Sequence, residues 1–306
     1  MSAIKDDLQQ LIAEQKFESI EELQAITDDF MSLRNRQPQD DFHGLSPEQM
    51  HRLLNFPFES PGLFQFPETL PAEPEAPILT LAQAIVQATG DKGLKATAKG
   101  NIPQKLCRDA VHSHRQDLPS DDLHHFIKVN KEEDFPELHV TRIILEMTGL
   151  LRKTKGRFHL TKKFHRLVDR SGQTRLYPEV FQTYCREFNW AYRDGYQEIP
   201  FIQQSFLFTL YLLSRYGDEW KPTRFYEDCF VQAFPMILNE VEPTAWSSAE
   251  DQVRNCFTHR VLKLFLHFMG LASLEKIPGN KPYSPDYRIR KLPLLGKAVQ
   301  FGFLSP

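Results

Sequence analysis

Residues 149–161 read GLLRKTKGRFHLT, two short arms of alternating apolar and polar residues around Lys155-Gly156. Such alternation around a glycine-containing turn predicts an antiparallel β-hairpin. The residues before it carry apolar side chains at helical spacing and begin at Asp134, which can cap a helix. The pattern therefore predicts a helix that ends at Gly149 and leads directly into a hairpin.

The same order is predicted a second time near the C-terminus. A helix opens at Ser247, with Glu250 three residues on, and ends at Gly270. An alignment of Gly270 with Gly149 matches the apolar positions of the two helices, and after a longer turn Tyr287 falls opposite Phe158. We interpret the match as two related units; a chance coincidence of a common helix-glycine-strand order stays open as the alternative.

The first unit extends upstream of its hairpin. Helices are predicted from an N-cap at Thr80 to Gly90 and from Asn101, with a short strand at 94–97 between them and a brief helix from Ser120. In this order of helices and hairpin, the segment from about Ile78 to Val168 resembles the winged-helix superfamily. Together with the repeated order, that resemblance implies two winged-helix-like units whose wings are short β-hairpins. The apolar stripes within 177–238 predict an aromatic-rich helical core, so the expected fold is mainly α.

Four regions are predicted along the chain. Six prolines, four glutamates and no basic residue between Pro57 and Pro77 exclude a regular helix there and favour an extended strap. The predicted division is an N-terminal helical extension at 1–56, the acidic strap at 57–77, the first winged-helix-like domain at 78–176, and a helical region with the second winged-helix-like unit at 177–306.

Basic residues concentrate in and after the first hairpin. Between Arg152 and Arg175 only Asp169 is acidic, although the whole chain has a net charge of -3. Lysines and arginines on a projecting hairpin suit a phosphate backbone, and about four phosphate contacts would give a log-affinity against log-salt slope of roughly -4. The candidate nucleic-acid-binding residues are Arg142, Arg152, Lys153, Lys155, Arg157, Lys162, Lys163 and Arg166.

A second, more dilute patch is predicted in the second unit. Its candidate residues are Arg260, Lys263, Arg288, Arg290 and Lys291, interspersed with Glu275 and Asp286.

The helix before the first hairpin also carries Glu137 and Glu146, which would repel phosphates, so we expect backbone or shape binding rather than base reading. A solvated hairpin, or a contact for an acidic partner protein, is the alternative function for these cations.

Other classes of function lack a signal in the sequence. The common nucleotide-binding, metalloprotease and hydrolase motifs are absent, so an enzyme is disfavoured and we assign no catalytic residue and no cofactor. Cysteine and histidine residues between Cys107 and His125 match no zinc spacing, so no metal site is assigned. A scaffold or regulatory module that binds proteins is the alternative to nucleic-acid binding, and homodimerisation is a further use of such units.

Cellular location is inferred from several features of the sequence. The chain shows no secretory signal, no apolar stretch long enough to cross a bilayer, and four widely spaced cysteines without a CxxC pair. Residues 41–50 and 188–196 resemble stretches of bacterial proteins of unassigned function. That resemblance implies a bacterial, cytoplasmic protein and gives no activity.

Overall fold

The fold is mainly helical. The computed structural model describes residues 9–13, 19–115, 128–171, 174–192, 194–277 and 286–303. Short antiparallel strands accompany the helices, so the prediction of a mainly α fold with short hairpins is confirmed. The chain divides into two compact units, 1–60 and 61–306.

The N-terminal unit is helical throughout its described elements. Residues 9–13 are helical, and two longer helices follow, α1 (Ile20–Asn35) and α2 (Pro47–Asn55). The Ser46 hydroxyl accepts a hydrogen bond from the Gln49 amide at 3.2 Å, and the Gln49 side chain accepts one from the Ser46 amide at 2.9 Å. This reciprocal cap fixes where α2 begins.

The larger unit contains the remaining elements. Its helices are α3 (Pro77–Thr89), α4 (Gln104–Arg115), α5 (Pro136–Met147), α6 (Lys162–Ser171), α7 (Leu176–Arg186), α8 (Pro200–Gln204), α9 (Phe206–Tyr216), α10 (Thr223–Ala233), α11 (Ala249–Phe257, continuing as a π-helix over Thr258–His267) and α12 (Leu294–Ala298). Its strands are β1 (Phe64–Gln65), β2 (Leu94–Lys95), β3 (Leu151–Thr154), β4 (Arg157–Leu160), β5 (Lys221–Pro222), β6 (Ala272–Lys276), β7 (Tyr287–Lys291) and β8 (Gln300–Phe301).

One order of elements occurs twice in this unit. The first set is α3, β2, α4, α5 and the hairpin β3–β4; the second set is α9, β5, α10, α11 and the hairpin β6–β7. Each set closes a three-stranded antiparallel sheet, with the order β2-β4-β3 in the first sheet and β5-β7-β6 in the second. In both sheets the isolated strand therefore pairs with the second arm of the hairpin.

The ends of α5 and α11 match position by position. Gly149 and Gly270 have φ values of 69° and 71°, a left-handed conformation that glycine adopts without strain. The Leu150 amide donates to the Leu145 carbonyl at 3.1 Å, and the Leu271 amide donates to the Leu266 carbonyl at 2.8 Å. The alignment of the two glycines made from the sequence thus coincides with the same capping geometry.

The alignment of the hairpins needs a correction of two residues. Leu151 pairs with Leu160 in the first hairpin, and Ala272, its equivalent, pairs with Lys291 in the second. Ile289, which is buried, is therefore the equivalent of the buried Phe158, and Tyr287 is not. The shift of two keeps every residue on its predicted face because strand side chains alternate with a period of two.

Several predicted helix starts also differ from the structure. The helix predicted to be capped by Thr80 begins at Pro77, and Ser248 rather than Ser247 caps α11 by accepting from the Asp251 amide at 3.1 Å. Asn101 does not cap α4; its side-chain amide donates to the Glu133 carboxylate at 2.8 Å. The helix predicted from Ser120 lies outside the described residues.

Residues 61–76 of the strap belong to the larger unit and pack against the rest of it. Phe64 is buried and pairs with Phe301 in the β1–β8 ladder, and the Ile78 amide donates to the Phe268 carbonyl at 3.1 Å. A Cβ atom on Gly270 would lie 2.7 Å from the Glu75 carbonyl oxygen and 2.9 Å from Ala76, so this approach requires glycine. The start of the first set of elements is thereby held against the end of α11.

Candidate nucleic-acid interface

The outer face of the first sheet is defined by its strand register. Directly opposite residues of an antiparallel pair share one face. Phe158 is buried and lies opposite Leu94 and Lys153, which marks the inner face. The outer face carries the remaining opposite pairs, namely Lys95 with Arg157, Thr154 with Arg157, and Arg152 with His159.

Three cations of this outer face are available to a ligand. Lys95 and Arg152 are exposed and form no ion pair within the described residues. Arg157 is half-buried, and its guanidinium donates to the Gly93 carbonyl at 2.7 Å, which leaves its charge uncompensated by a carboxylate in the described part of the chain. Lys155 at the hairpin tip is exposed as well. We call Lys95, Arg152, Lys155 and Arg157 the basic face.

Lys95 was missed as a candidate from the sequence. It lies 57 residues before Arg152 and joins the basic face only because β2 pairs with β4. The prediction of a short strand at 94–97 was a usable signal, since a third strand beside the hairpin brings its own outward side chains to the same surface. Lys99 is exposed as well and lies four residues after the end of β2.

The other predicted cations of the first hairpin and α6 have different surroundings. The Lys153 ammonium donates to the Gly100 carbonyl at 3.1 Å and lies 5.7 Å from the Phe158 ring centre. Lys163 is paired with Glu179 at 2.7 Å. Lys162 and Arg166 are exposed on α6, and Arg166 donates to the Lys162 carbonyl at 3.2 Å.

Arg142 belongs to a buried network and not to the surface. Its side chain donates to Glu132 at 2.6 Å and to Glu146, and only 7% of the residue is exposed. Glu132 is fully buried and also bonds His139 at 2.7 Å and the Ile102 amide. The prediction that Arg142 binds nucleic acid is therefore corrected: its charge is already compensated inside the protein.

The Glu132 carboxylate is held in its ionised form by this network. Burial raises the pKa of Glu132, but the hydrogen bonds from His139, from the Ile102 amide and from Arg142, together with the charge of Arg142, outweigh it. The net pKa lies below its ordinary value. The network thus ties α5 to the turn at 132–134 and to Ile102, two residues before α4.

Arg260 is likewise a structural residue. Only 2% of it is exposed, and its guanidinium bonds both oxygens of Asp194 and the Gln197 carbonyl at 2.8 Å. A buried, doubly bonded arginine cannot reach a phosphate without breaking this pair. Its place in the predicted second patch is therefore corrected.

The rest of the second patch is mostly neutralised. Arg288 forms a two-pronged pair with Glu275 at 2.7 and 3.0 Å, and Lys291 pairs with Asp218 at 2.8 Å. Lys263 lies 3.9 Å from the Tyr287 ring centre. Arg290 is exposed, and both Arg288 and Arg290 lie 5.0 Å from the ring centre of Trp220.

Residues 188–192 and 194–197 contact the helices that precede both hairpins. Tyr192 stacks on His139 of α5 at 5.9 Å and is hydrogen-bonded to its Nε2 at 3.1 Å. Tyr196 contacts His259 of the π-helix at 5.3 Å, next to the Asp194–Arg260 pair. Trp190 is buried, and its indole donates to the Tyr184 carbonyl at 2.9 Å. These faces of α5 and of the π-helix are consequently occupied by the protein itself.

Comparison with known proteins adds one finding. Residues 75–173 match the family model of the Y4jL N-terminal domain. The matched segment spans the first set of elements from the end of the strap through α6, and its description names no activity. No curated protein and no solved structure matches the chain.

Two observations bear on location and metal binding. No helix among the described residues is long and apolar enough to cross a membrane. Within the same residues no group of three or more histidine, cysteine, aspartate or glutamate side chains is placed to hold a metal ion. His114 is in α4, and residues 121–125 of the histidine-rich segment lie outside the described residues.

Proposed function

We propose that the basic face binds the phosphate backbone of nucleic acid, in the first place duplex DNA, without reading its base sequence. The observation that carries the proposal is the set of exposed or half-exposed cations on one sheet face, which no carboxylate of the described chain neutralises. Phosphate contacts by lysine and arginine supply most of the sequence-independent affinity of such complexes.

The order of elements supports the same proposal. In each set, three helices, an isolated strand and a hairpin close a sheet in which the isolated strand pairs with the second hairpin arm. We interpret both sets as winged-helix-like units that form an internal repeat. In such units the helix before the hairpin commonly enters the major groove. Tyr192 and Tyr196 cover part of these two helices here, which favours backbone contacts by the first hairpin over base reading.

The cysteines support an intracellular location. All four are buried and free, and burial raises the pKa of Cys107 to about 12. Buried thiols of this kind suit a reducing compartment. Together with the resemblance of residues 41–50 and 188–196 to bacterial proteins, this supports a bacterial cytoplasmic protein that meets nucleic acid directly.

The test is an anisotropy titration of the full chain against labelled duplexes of two unrelated sequences. With three or four phosphate contacts, the slope of log affinity against log salt should be about -3 to -4. The triple variant Lys95→Ala, Arg152→Ala, Arg157→Ala should reduce the slope by about 0.9 for each contact removed. The two duplexes should bind with similar affinity.

The matched control comes from the second sheet. Arg288 and Arg290 occupy the positions equivalent to Arg157 and His159, so the double variant Arg288→Ala, Arg290→Ala removes exposed cations from the same architecture. We expect it to keep wild-type affinity. The proposal is wrong if the protein does not bind duplex DNA at low salt, or if the first-sheet variant, folded by circular dichroism, binds as tightly as the wild type.

A protein-binding role is favoured by a separate observation. Trp246 is almost completely exposed, which is unusual for a large apolar side chain without a partner.

A further inference from the structure

Trp246 is held in solvent by a well-defined turn. It is 96% exposed, more than any other large apolar side chain in the described chain. The Thr244 amide donates to the Ser247 carbonyl at 2.9 Å, and the Gln252 side chain from α11 donates to the Glu242 carbonyl at 2.9 Å. The turn is thus fixed to a helix, and its tryptophan side chain extends into solvent.

The surroundings of Trp246 are acidic. Residues 236–252 contain four carboxylates and no lysine or arginine. Glu240 and Glu242 are exposed and form no ion pair in the described ranges, whereas Glu250 pairs with Arg254 at 2.7 Å. We call residues 242–248 the tryptophan turn. A surface complementary to it must be basic and must accept an aromatic ring, and arginine meets both conditions through cation–π contact.

The second sheet shows how this protein combines tryptophan with arginine. Trp220 precedes β5 and lies 5.0 Å from both Arg288 and Arg290 on the outer face. Because Lys221 pairs with Ile289 as Leu94 pairs with Phe158, the first-sheet equivalent of Trp220 is Gly93. Arg157, the equivalent of Arg288, therefore has no tryptophan of its own set beside it.

We infer that the tryptophan turn of one copy docks on the basic face of a second copy. The indole of Trp246 stacks on Arg152 or Arg157, as Trp220 does on Arg288 within the second sheet. Glu240 and Glu242 are attracted to Lys95 and Lys155. The inference uses the same face as the proposed function but does not depend on it, since the acidic turn takes the place of the phosphates.

This docking is head-to-tail. Each copy offers one tryptophan turn and one basic face, and the two are different surfaces. Association by unlike surfaces continues beyond the dimer unless the subunits close into a ring. Because the contact joins opposite charges at the surface, it weakens as salt is added.

The first experiment is sedimentation velocity of the full chain over a range of concentrations at about 50 and 500 mM NaCl. At low salt the weight-average mass should rise with concentration above the 35.7 kDa of the monomer, and high salt should restore the monomer. Trp246→Ala should weaken association by roughly 30-fold, the effect of losing an interface hot spot. Met236→Ala, which removes another exposed apolar side chain of the acidic region, is the matched control and should associate normally.

A mixing experiment then distinguishes unlike from like surfaces. Trp246→Ala retains the basic face, and the double variant Arg152→Glu, Arg157→Glu retains the tryptophan turn. Each variant alone should be monomeric at low salt, and an equimolar mixture should form a one-to-one dimer that grows no further. Circular dichroism of each variant establishes that it is folded.

Several outcomes overturn the inference. A wild-type chain that stays monomeric at low salt overturns it and leaves Trp246 for a different protein partner. Association that survives Trp246→Ala, or a mixture of the two folded variants that stays monomeric, also overturns it. Self-association of the Arg152→Glu, Arg157→Glu variant alone would overturn it as well and would indicate a contact between two tryptophan turns. Duplex DNA binding without self-association would reject this inference and keep the proposed function, whereas self-association without DNA binding would do the reverse.

Discussion

The two sheets of the larger unit share one topology and differ in what covers their outer faces. The first sheet presents Lys95, Arg152 and Arg157, which have no carboxylate partner among the residues that the structure describes. The second presents Arg288, bonded to Glu275 and packed with Arg290 beside Trp220. The backbone therefore does not determine whether such a face can meet a polyanion. The residues at a few outward-facing positions determine whether a face can bind a polyanion, and these residues can be exchanged between the two sheets.

The largest expected effect concerns the buried network in which Glu132 bonds His139 and Arg142. This network keeps Arg142 away from the basic face. Glu132→Gln should lower the free energy of unfolding by roughly 3 kcal/mol, because it leaves a buried arginine with fewer charged partners. Glu146 still pairs with Arg142, which keeps the loss at the lower end of the range for broken buried pairs. Urea unfolding monitored by circular dichroism measures it.

The pH dependence of stability provides the check on this variant. The folded pKa of Glu132 is lowered, so its contribution is present above the unfolded pKa and is lost as the pH falls through the folded pKa. The wild type should lose stability on acidification more steeply than Glu132→Gln. Equal slopes for the two proteins would show that the network does not hold Glu132 ionised. Arg166→Ala, an exposed change, should leave both quantities nearly unaltered.

An exchange of outer-face residues tests the comparison most directly. The double variant Ser273→Arg, Glu275→Thr gives the second sheet the residues that the first sheet has at Arg152 and Thr154. It adds a cation and frees Arg288 from its carboxylate. If both then contact phosphates, affinity for duplex DNA should rise by about five- to tenfold per contact at about 0.1 M salt.

The anisotropy titration described above measures the effect of this exchange. The control is the double variant Ser273→Gln, Glu275→Gln, which removes the carboxylate without adding the arginine. We expect the control to gain less than the exchange variant. An exchange variant with unchanged affinity and slope would mean that the second sheet is excluded from nucleic acid for a reason other than its charge.

The smallest expected effect lies at the tip of the first hairpin. Lys155 has a φ of 49°, and Gly156 follows with 73°, a turn in which asparagine is favoured at the first position. Lys155→Asn should raise the free energy of unfolding by roughly 0.5 kcal/mol, because asparagine adopts the left-handed backbone conformation at a lower cost than lysine does. The same change should weaken DNA binding, because it removes a cation of the basic face. Thermal unfolding measures the change in stability. If the variant is no more stable than the wild type, the inference that Lys155 is strained in this turn is wrong.

The sequence was sufficient to predict the first hairpin and the glycines that end both helices before the hairpins. These features are local: alternation, a glycine-containing turn and an apolar stripe lie within a few residues of one another. The prediction of exposed cations fails at Arg142 and Arg260 for the opposite reason. Their partners, Glu132 and Asp194, come from other segments, and 66 residues separate Asp194 from Arg260.

The register of the second hairpin was wrong by two residues for a similar reason. An apolar pattern of period two cannot distinguish a shift of two, and the length of the turn between β6 and β7 sets which pairs form. Lys95 was missed although a short strand was predicted at 94–97, because the pairing of that strand with the hairpin joins residues more than 60 positions apart. Its partner on β4 is identified only by the sheet.

The close approach at Gly270 limits how this protein can be divided. The segment that matches the Y4jL N-terminal domain begins at residue 75, and Glu75 and Ala76 lie against Gly270, far outside that segment. Expression of residues 75–173 alone would expose Ala76, which is buried in the whole chain, and would remove the carbonyl of Phe268 that the Ile78 amide bonds. A fusion protein that contains this segment alone therefore has to provide another surface that covers the first turn of its first helix.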